Sequence, residues 1–292
     1  MTRWLLCLGL WFGAVVAHAD ERVFYQPLNA DASLTQAQWQ SIWQTTAKQG
    51  TRTLIVQWTA YGESDFGGAD GWLANSLKLA QQQGLQLVLG LKMDPAYYQR
   101  IDELDSAGLG KYWQAQLGQS LARQQTLRNE WKLAVHGWYL PLELDDFHFL
   151  AADRRATLQR QLKDFAAKLD APLHLSAFSA GKLAPTINGQ WLGDLSAAGI
   201  QVWWQDGAGT GRLPVVVRNG YASALPCSVG IVREAFRQVS HEGQPFRAEP
   251  AAPDATSNGC HPGAVFSLRY RPWGKLILDN QRRHQASDVQ NH

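Results

Sequence analysis

The strongest constraint in this sequence is a rhythm. Short β-like runs begin at Val23, Leu54 and Leu85, about 31 residues apart, and one amphipathic helical run bridges each pair. In the first bridge Trp39, Ile42, Trp43 and Ala47 fall on one face. Ser33 with Gln36 fits a capping box at its start, and Gly50 stands where the helix stops. The second bridge carries Trp72, Leu73, Leu77 and Ala80 and closes at Gly84. Repeated β-helix-β units of this kind build parallel sheets whose outer faces are covered by helices.

The rhythm stretches across residues 95–134, which read as an enlarged connection carrying the third helix. It resumes with runs at Val135–Leu144, Leu173–Phe178 and Ile200–Trp204. A helix over Val229–Val239 then leads to a seventh run, Pro245–Glu249, and the eighth is Ala264–Tyr270. Eight such units predict a single-domain (β/α)8 TIM barrel over residues 20–278. An open doubly wound sheet is the competing topology. It is disfavoured because no glycine-rich dinucleotide fingerprint follows the first run. Residues 279–292 are polar and read as a disordered tail.

The two ends of the chain and its cysteines point to a compartment. Arg3, the apolar run Trp4–Ala17 and Ala17-His18-Ala19 form a signal-peptide pattern over residues 1–19, with cleavage expected after Ala19. That run is shorter than the roughly 20 residues a membrane-spanning helix needs, so no span is expected after cleavage. A periplasmic or secreted protein follows. Its two remaining cysteines, Cys227 and Cys260, are then expected to pair, the alternative being two isolated buried thiols. The net charge is only +2 over 292 residues and no Lys/Arg run exceeds a pair, so a nucleic-acid partner is not suggested.

In a barrel of this kind chemistry sits at the C-terminal ends of the strands. The runs deliver Gln26 and Asn29; Gln57, Trp58 and Tyr61; Lys92 and Asp94; and Tyr139, Glu143, Asp145 and Asp146. Trp204, Gln205 and Asp206 follow, then Glu249, and last Arg269 and Tyr270. Amides and carboxylates bind hydroxyls and aromatic faces stack on sugar rings, so this inventory suits a carbohydrate substrate or ligand. The 13 tryptophans fit either such stacking or a well-filled core.

Glycoside hydrolysis needs two carboxyl groups flanking the scissile bond. In the broad retaining superfamily of (β/α)8 glycosidases the acid/base glutamate ends strand four and the nucleophile ends strand seven. By the run count, Glu143 and Glu249 stand at those places. Leu142 departs from that pattern, which usually has Asn just before the acid/base. Asp206, at the end of the sixth run, competes as the partner of Glu143. The bland alternatives are a buried ion pair of Glu143 with Lys92 or Arg269, and a surface-loop position for Glu249. No Gly-x-Ser-x-Gly elbow, spaced histidine pair or P-loop is present, so neither serine, zinc nor nucleotide chemistry is suggested, and no metal or cofactor is expected.

The stretch Trp138-Tyr139-Leu140-Pro141-Leu142-Glu143-Leu144-Asp145-Asp146, with Gln205-Asp206-Gly207-Ala208-Gly209, resembles an uncharacterised, glycoside-hydrolase-like bacterial TIM-barrel family, domain of unknown function 4434. The resemblance spans roughly Val23 to Arg271. It implies the barrel and a sugar-acting site but supplies no substrate. Three readings follow: an exported glycosidase, a non-catalytic carbohydrate-binding barrel of the envelope, or a scaffold whose rim holds a protein.

Overall fold

The computed structural model describes residues 21–241, 243–254 and 259–290. The expected leader lies outside the described residues. Eight parallel strands form a closed barrel: β1 (Glu21–Tyr25), β2 (Thr51–Val56), β3 (Gln86–Gly90), β4 (Val135–Asp145), β5 (Leu173–Phe178), β6 (Gln201–Gln205), β7 (Gly230–Glu234) and β8 (Gly263–Phe266). Each pairs with its neighbour in chain order, and β8 closes on β1 through Arg22 opposite Ala264 and Val23 opposite Val265. This is the single-domain TIM barrel that the rhythm predicted.

Period-two alternation explains how the strands are filled on both faces. Phe24, Ile55, Val88, Tyr139, Trp203, Val232 and Ala264 form one cluster, with one residue from every strand but β5. They are the interior of the barrel, which is a packed core and not a pore. Their neighbours Val23, Tyr25, Leu54, Val56, Leu87 and Leu89 belong to the larger cluster between strands and helices. Burying a large apolar side chain contributes roughly 1.5–3 kcal/mol, so both layers hold the barrel shut.

The covering helices are α1 (Gln36–Lys48), α2 (Trp72–Gln82), α3 (Tyr97–Glu103), α4 (Ser106–Thr126), α5 (Ala152–Ala166), α6 (Pro185–Ala197), α7 (Val215–Ala224) and α8 (Lys275–Gln290). The capping box of α1 is Thr35 with Gln38, not Ser33 with Gln36: Thr35 Oγ1 accepts from the Gln38 amide and Gln38 Oε1 accepts from the Thr35 amide. On the buried face of α1, Trp43 Nε1 donates to Ser76 Oγ of α2 at 3.0 Å, and Trp39 and Trp43 stack. The enlarged third connection holds two helices, α3 and α4, instead of one.

Two expectations in the last third are corrected. The seventh strand is Gly230–Glu234, within the segment expected to be helical, and the helix before it is α7. Pro245–Glu249 lies in no barrel strand; Ala248–Pro250 pairs antiparallel with Phe236–Gln238 outside the barrel. Apolar residues at 229, 231, 232, 235 and 236 satisfy a helical face as well as a short buried strand, and periodicity alone does not separate the two. The β-branched run opening α7, Val215-Val216-Val217, lowers helix propensity, so tertiary contacts through buried Tyr221 decide that segment.

Part of the polar stretch after Leu278 is helical. Residues 279–290 continue α8 because buried Asn280 anchors it: Nδ2 donates to the Ala30 carbonyl, and Oδ1 accepts from Ser33 Oγ.

Between β7 and β8 no helix occurs among the described residues. In its place stand the antiparallel pair and a Cys227–Cys260 disulfide, with Cα atoms 5.2 Å apart. Cys227 precedes β7 and Cys260 precedes β8, so the bond staples the two strands where they start. His261 Nδ1, 2.9 Å from the Val229 carbonyl, lies beside the same junction.

Candidate active site

The site begins with an irregularity in β4. Leu140 pairs with Leu175 of β5, but Leu144 already pairs with Ala177, so β4 carries two extra residues between these registers. Bulges re-aim side chains beside active sites. Pro141, which has no N–H to give a ladder, and Glu143 fall inside this one. The Glu143 carboxylate is held from two sides. Tyr98 of α3 donates its hydroxyl to Oε2 at 2.6 Å, and Gln205 at the end of β6 donates Nε2 to Oε1 at 2.8 Å. Tyr97 fixes the same residue's backbone by donating to the Glu143 carbonyl at 2.7 Å.

Burial pushes the Glu143 pKa up. The bonds from Tyr98 and Gln205 pull it down less strongly, and the charge of Asp145 adds to the rise. Burial, together with the Glu143 charge, also raises the pKa of Tyr98, which therefore stays protonated as a donor.

A second carboxylate stands at the end of β7. Glu234 is 5% exposed, and its Oε2 accepts the backbone N–H groups of Gly209 at 2.5 Å and Thr210 at 3.2 Å. The loop after β6 wraps it so closely that a Cβ on Gly209 would lie 2.5 Å from the Phe236 carbonyl oxygen and 2.9 Å from Glu234 Oε2. Only glycine fits there. Beneath the loop, buried Asp206 accepts from the Ala208 amide at 3.1 Å and sits 3.5 Å from Arg233 Nη1. Burial raises the pKa of Asp206. Glu234 is pushed up to about 7, first by burial and then by the nearby charge of Asp206, against the pull of its two amide donors.

Glu143 and Glu234 line one cavity of about 390 Å3 at the C-terminal mouth of the barrel. Trp204 forms part of its wall, its ring fixed by donation from Nε1 to Ser179 Oγ at 3.0 Å. Gln205, Arg212 and Arg218 belong to the same wall. A broader surface groove of about 580 Å3 along Lys78 and Lys132 lies elsewhere, near the N-terminal start of β4. Among the described residues no three His, Cys, Asp or Glu side chains converge to hold a metal ion.

A family model described as a domain of unknown function (DUF4434) matches residues 22–254. The chain belongs to this family. Its relative YbcH of Escherichia coli strain K12, described as an uncharacterized protein, is 32% identical over 284 residues, covering 89% of this chain and 93% of that one. Among solved structures, a "putative alpha-L-fucosidase" from Bacteroides thetaiotaomicron VPI-5482 superposes with a TM-score of 0.54 at 13% identity, over 87% of this chain and 94% of that one. The Bacillus cereus spore cortex-lytic enzyme SleL gives 0.53 at 10% identity, over 90% and 74%. At these identities the likeness is one of fold.

In this DUF4434 chain the expected site residues divide into three groups. Glu143, Trp204, Gln205 and Asp206 come together around the cavity. Gln26, Asn29, Gln57, Trp58, Tyr61 and Lys92 occupy the β1–β3 part of the rim and do not line it. There Gln26 Nε2 donates to Gln57 Oε1 at 2.9 Å, and Ser64 donates to Asn29. Trp58 Nε1 donates to the Pro27 carbonyl while its ring packs on exposed Tyr61. Lys92 faces Glu63 at 3.8 Å, not Glu143.

The third group is structural. Tyr139 points into the barrel core and donates to Ser176 Oγ. Asp146 is consumed by the backbone N–H groups of Ala180, Lys182 and Leu183 and by the Tyr221 hydroxyl. Arg269 is buried at the closing seam, where it donates to the Gln26 carbonyl and Gln281 Oε1 and lies 3.6 Å from Asp31. Tyr270 packs against Phe236. Glu249 is exposed on the outer antiparallel pair, away from the cavity, so the strand-seven glutamate is Glu234.

Sequence reading missed Glu234 because the seventh run was misplaced. It missed Tyr98 because that residue lies in a connection, not at a strand end. A glutamate closing the apolar run Val229-Gly230-Ile231-Val232 was the available signal for the first.

Proposed function

We propose that this chain is an exported glycoside hydrolase acting on a poly- or oligosaccharide, with Glu143 as general acid/base and Glu234 as partner carboxylate. One observation carries the reading: glutamates from β4 and β7 line the same cavity at the C-terminal mouth of a closed parallel barrel. The raised pKa of Glu143 suits a group that must keep its proton near neutral pH. Its partner Tyr98 can donate to the carboxylate or accept from the carboxylic acid, so the contact serves both states. The donors on Glu234 are backbone amides, which can only donate and therefore favour its anion.

In the retaining form of the reaction the Glu234 carboxylate attacks the anomeric carbon while the Glu143 proton passes to the departing glycosidic oxygen. Water then gives its proton to Glu143 and its oxygen to the anomeric carbon, and the bond to Glu234 breaks. Export is supported by the Cys227–Cys260 disulfide, which fits an oxidising compartment, and by the leader pattern of residues 1–19. No helix among the described residues is long and apolar enough to cross a membrane.

The second reading, a non-catalytic carbohydrate-binding barrel, is favoured by one fact: both oxygens of Glu143 already have side-chain partners. Reducing-sugar release from purified envelope polysaccharides and exopolysaccharides separates the two. Glu143→Gln and Glu234→Gln are each expected to lower release by about 10²–10⁴-fold, the usual range for a positioned acid or base. No release by the wild type, with glycan binding that survives Glu143→Gln, overturns catalysis in favour of binding.

A further inference from the structure

The cavity has a cationic wall that the two-carboxylate reading does not use. Arg212 and Arg218 both line it, on and just before the first turn of α7. Among the described residues neither makes a salt bridge within 4 Å; the nearby Asp206 carboxylate has Arg233 as its ion-pair partner. Arg218 donates one Nη1 to the Asp206 carbonyl at 3.3 Å, and its Nε is buried with no hydrogen-bond partner. A guanidinium presents its donors as a planar fork, so an unused Nε beside a held Nη1 leaves part of the fork unfilled. Arg212 is exposed at the cavity's edge. The start of α7 between them has no side-chain cap and no acidic residue in its first turn, so its partial positive charge is also unopposed.

A neutral sugar supplies hydroxyls, which leave Arg212 and the helix start without a counter-charge, and leave Arg218 only the Asp206 carboxylate that Arg233 already shares. We infer that the glycan accepted by this cavity is acidic, and that Arg212 and Arg218 hold a sugar carboxylate or sulfate ester beside the bond that Glu143 and Glu234 act on. This rests on the reading of the cavity as a glycan site. It narrows the substrate class to uronate-containing or sulfated polysaccharides. Phe178 and the fixed Trp204 ring supply the apolar part of the same wall.

Affinity electrophoresis of the purified chain tests it, in gels containing alginate, polygalacturonate, κ-carrageenan or dextran. Alginate and polygalacturonate carry carboxylates only, carrageenan sulfates only, and dextran neither. The chain has a pI near 8.4, so a charge-matched control is needed. Arg212→Gln with Arg218→Gln is compared with Arg52→Gln plus Arg160→Gln, two exposed positions that do not line the cavity. The cavity pair is expected to weaken retention by at least about tenfold on one class of acidic polymer, the scale of a lost charge-assisted bond. The control pair is expected to retain it. Arg212→Gln alone, at an exposed position, shows the same direction should the Arg218 substitution disturb the loop.

Equal losses in the two pairs, or retention by dextran matching the acidic gels, or no retention in any gel, overturns the inference. Retention that needs Arg212 and Arg218 with no reducing sugar released keeps the acidic subsite and sinks the hydrolase. Release from a neutral glycan that survives the double substitution does the reverse.

Discussion

The two carboxylates of the mouth are held in different ways. On the β3–β4 side a bulge turns Glu143 toward the cavity, and side chains from α3 and β6 finish its placement. That sector is thickly built, with two helices in one connection. α3 is tied down by His148, whose ring nitrogens lie 2.7 Å from Asp145 and from Asp102 of α3. On the β6–β8 side Glu234 is gripped by the main chain of a glycine-bearing loop, and the next connection has no covering helix among the described residues. A covalent staple stands there instead. Side-chain grips let a residue change protonation by rotating a hydroxyl. A main-chain grip accepts only one role for the oxygen it holds. The first suits a group that passes a proton, the second a group that stays an acceptor.

Breaking the staple should have the largest effect on stability. Replacing both Cys227 and Cys260 with Ser removes a cross-link between residues 33 apart, which on loop-entropy grounds costs about 3–4 kcal/mol. Urea denaturation measures it, and a loss below about 1 kcal/mol would mean that the antiparallel pair alone does the work of the missing helix.

Glu234→Gln sharpens the contrast through pH. The folded pKa of Glu234 is about 7 against an ordinary 4.5, so the native state binds this proton more tightly than the unfolded chain does. Its stabilising effect is present below pH 4.5 and is lost as pH rises to about 7. The glutamine variant should therefore exceed the wild type in stability by roughly 2–3 kcal/mol at pH 8, and by much less at pH 5. Denaturation midpoints at the two pH values check this; a variant equally or less stable at pH 8 rejects a carboxyl under strain there.

The smallest effect is expected at Tyr98. Tyr98→Phe removes one of the donors that lower the Glu143 pKa, so the alkaline limb of the kcat/KM profile should move to higher pH. Activity at the original optimum should fall by about tenfold, the cost of one charge-assisted hydrogen bond. An unmoved limb would show that Tyr98 only packs.

Much of this architecture is legible in the sequence. The strands up to β6 lie in short apolar runs, β2, β3 and β6 each following a glycine that ends a helix, and the helices between them carry apolar faces, so pattern alone located them. Glu143 was legible as a candidate because it stands near the C-terminal end of a barrel strand, the end at which such barrels place their chemistry. Glu234 was not, because a five-residue buried strand and one face of a helix have the same apolar spacing. Arg269 and Asp146 looked like rim residues for a related reason. Sequence shows that a polar residue ends a strand, but not whether backbone amides or carbonyls in a distant loop consume it, as Leu183 N–H does for Asp146 and the Gln26 carbonyl does for Arg269.

The closure of β8 on β1 ties Arg22 to Ala264. The first strand cannot find one of its two neighbours until nearly the whole chain exists. An emerging polypeptide of this design remains an open ribbon with unpaired edges, however well its early helices form. Its last quarter acts as a latch, and because Glu234 and the staple belong to that quarter, the mouth is completed by the segment that ends folding. Contacts of such long range make folding slow relative to stability. On the proposed reading that the chain is exported, the same delay would keep it unfolded long enough to be threaded through a membrane.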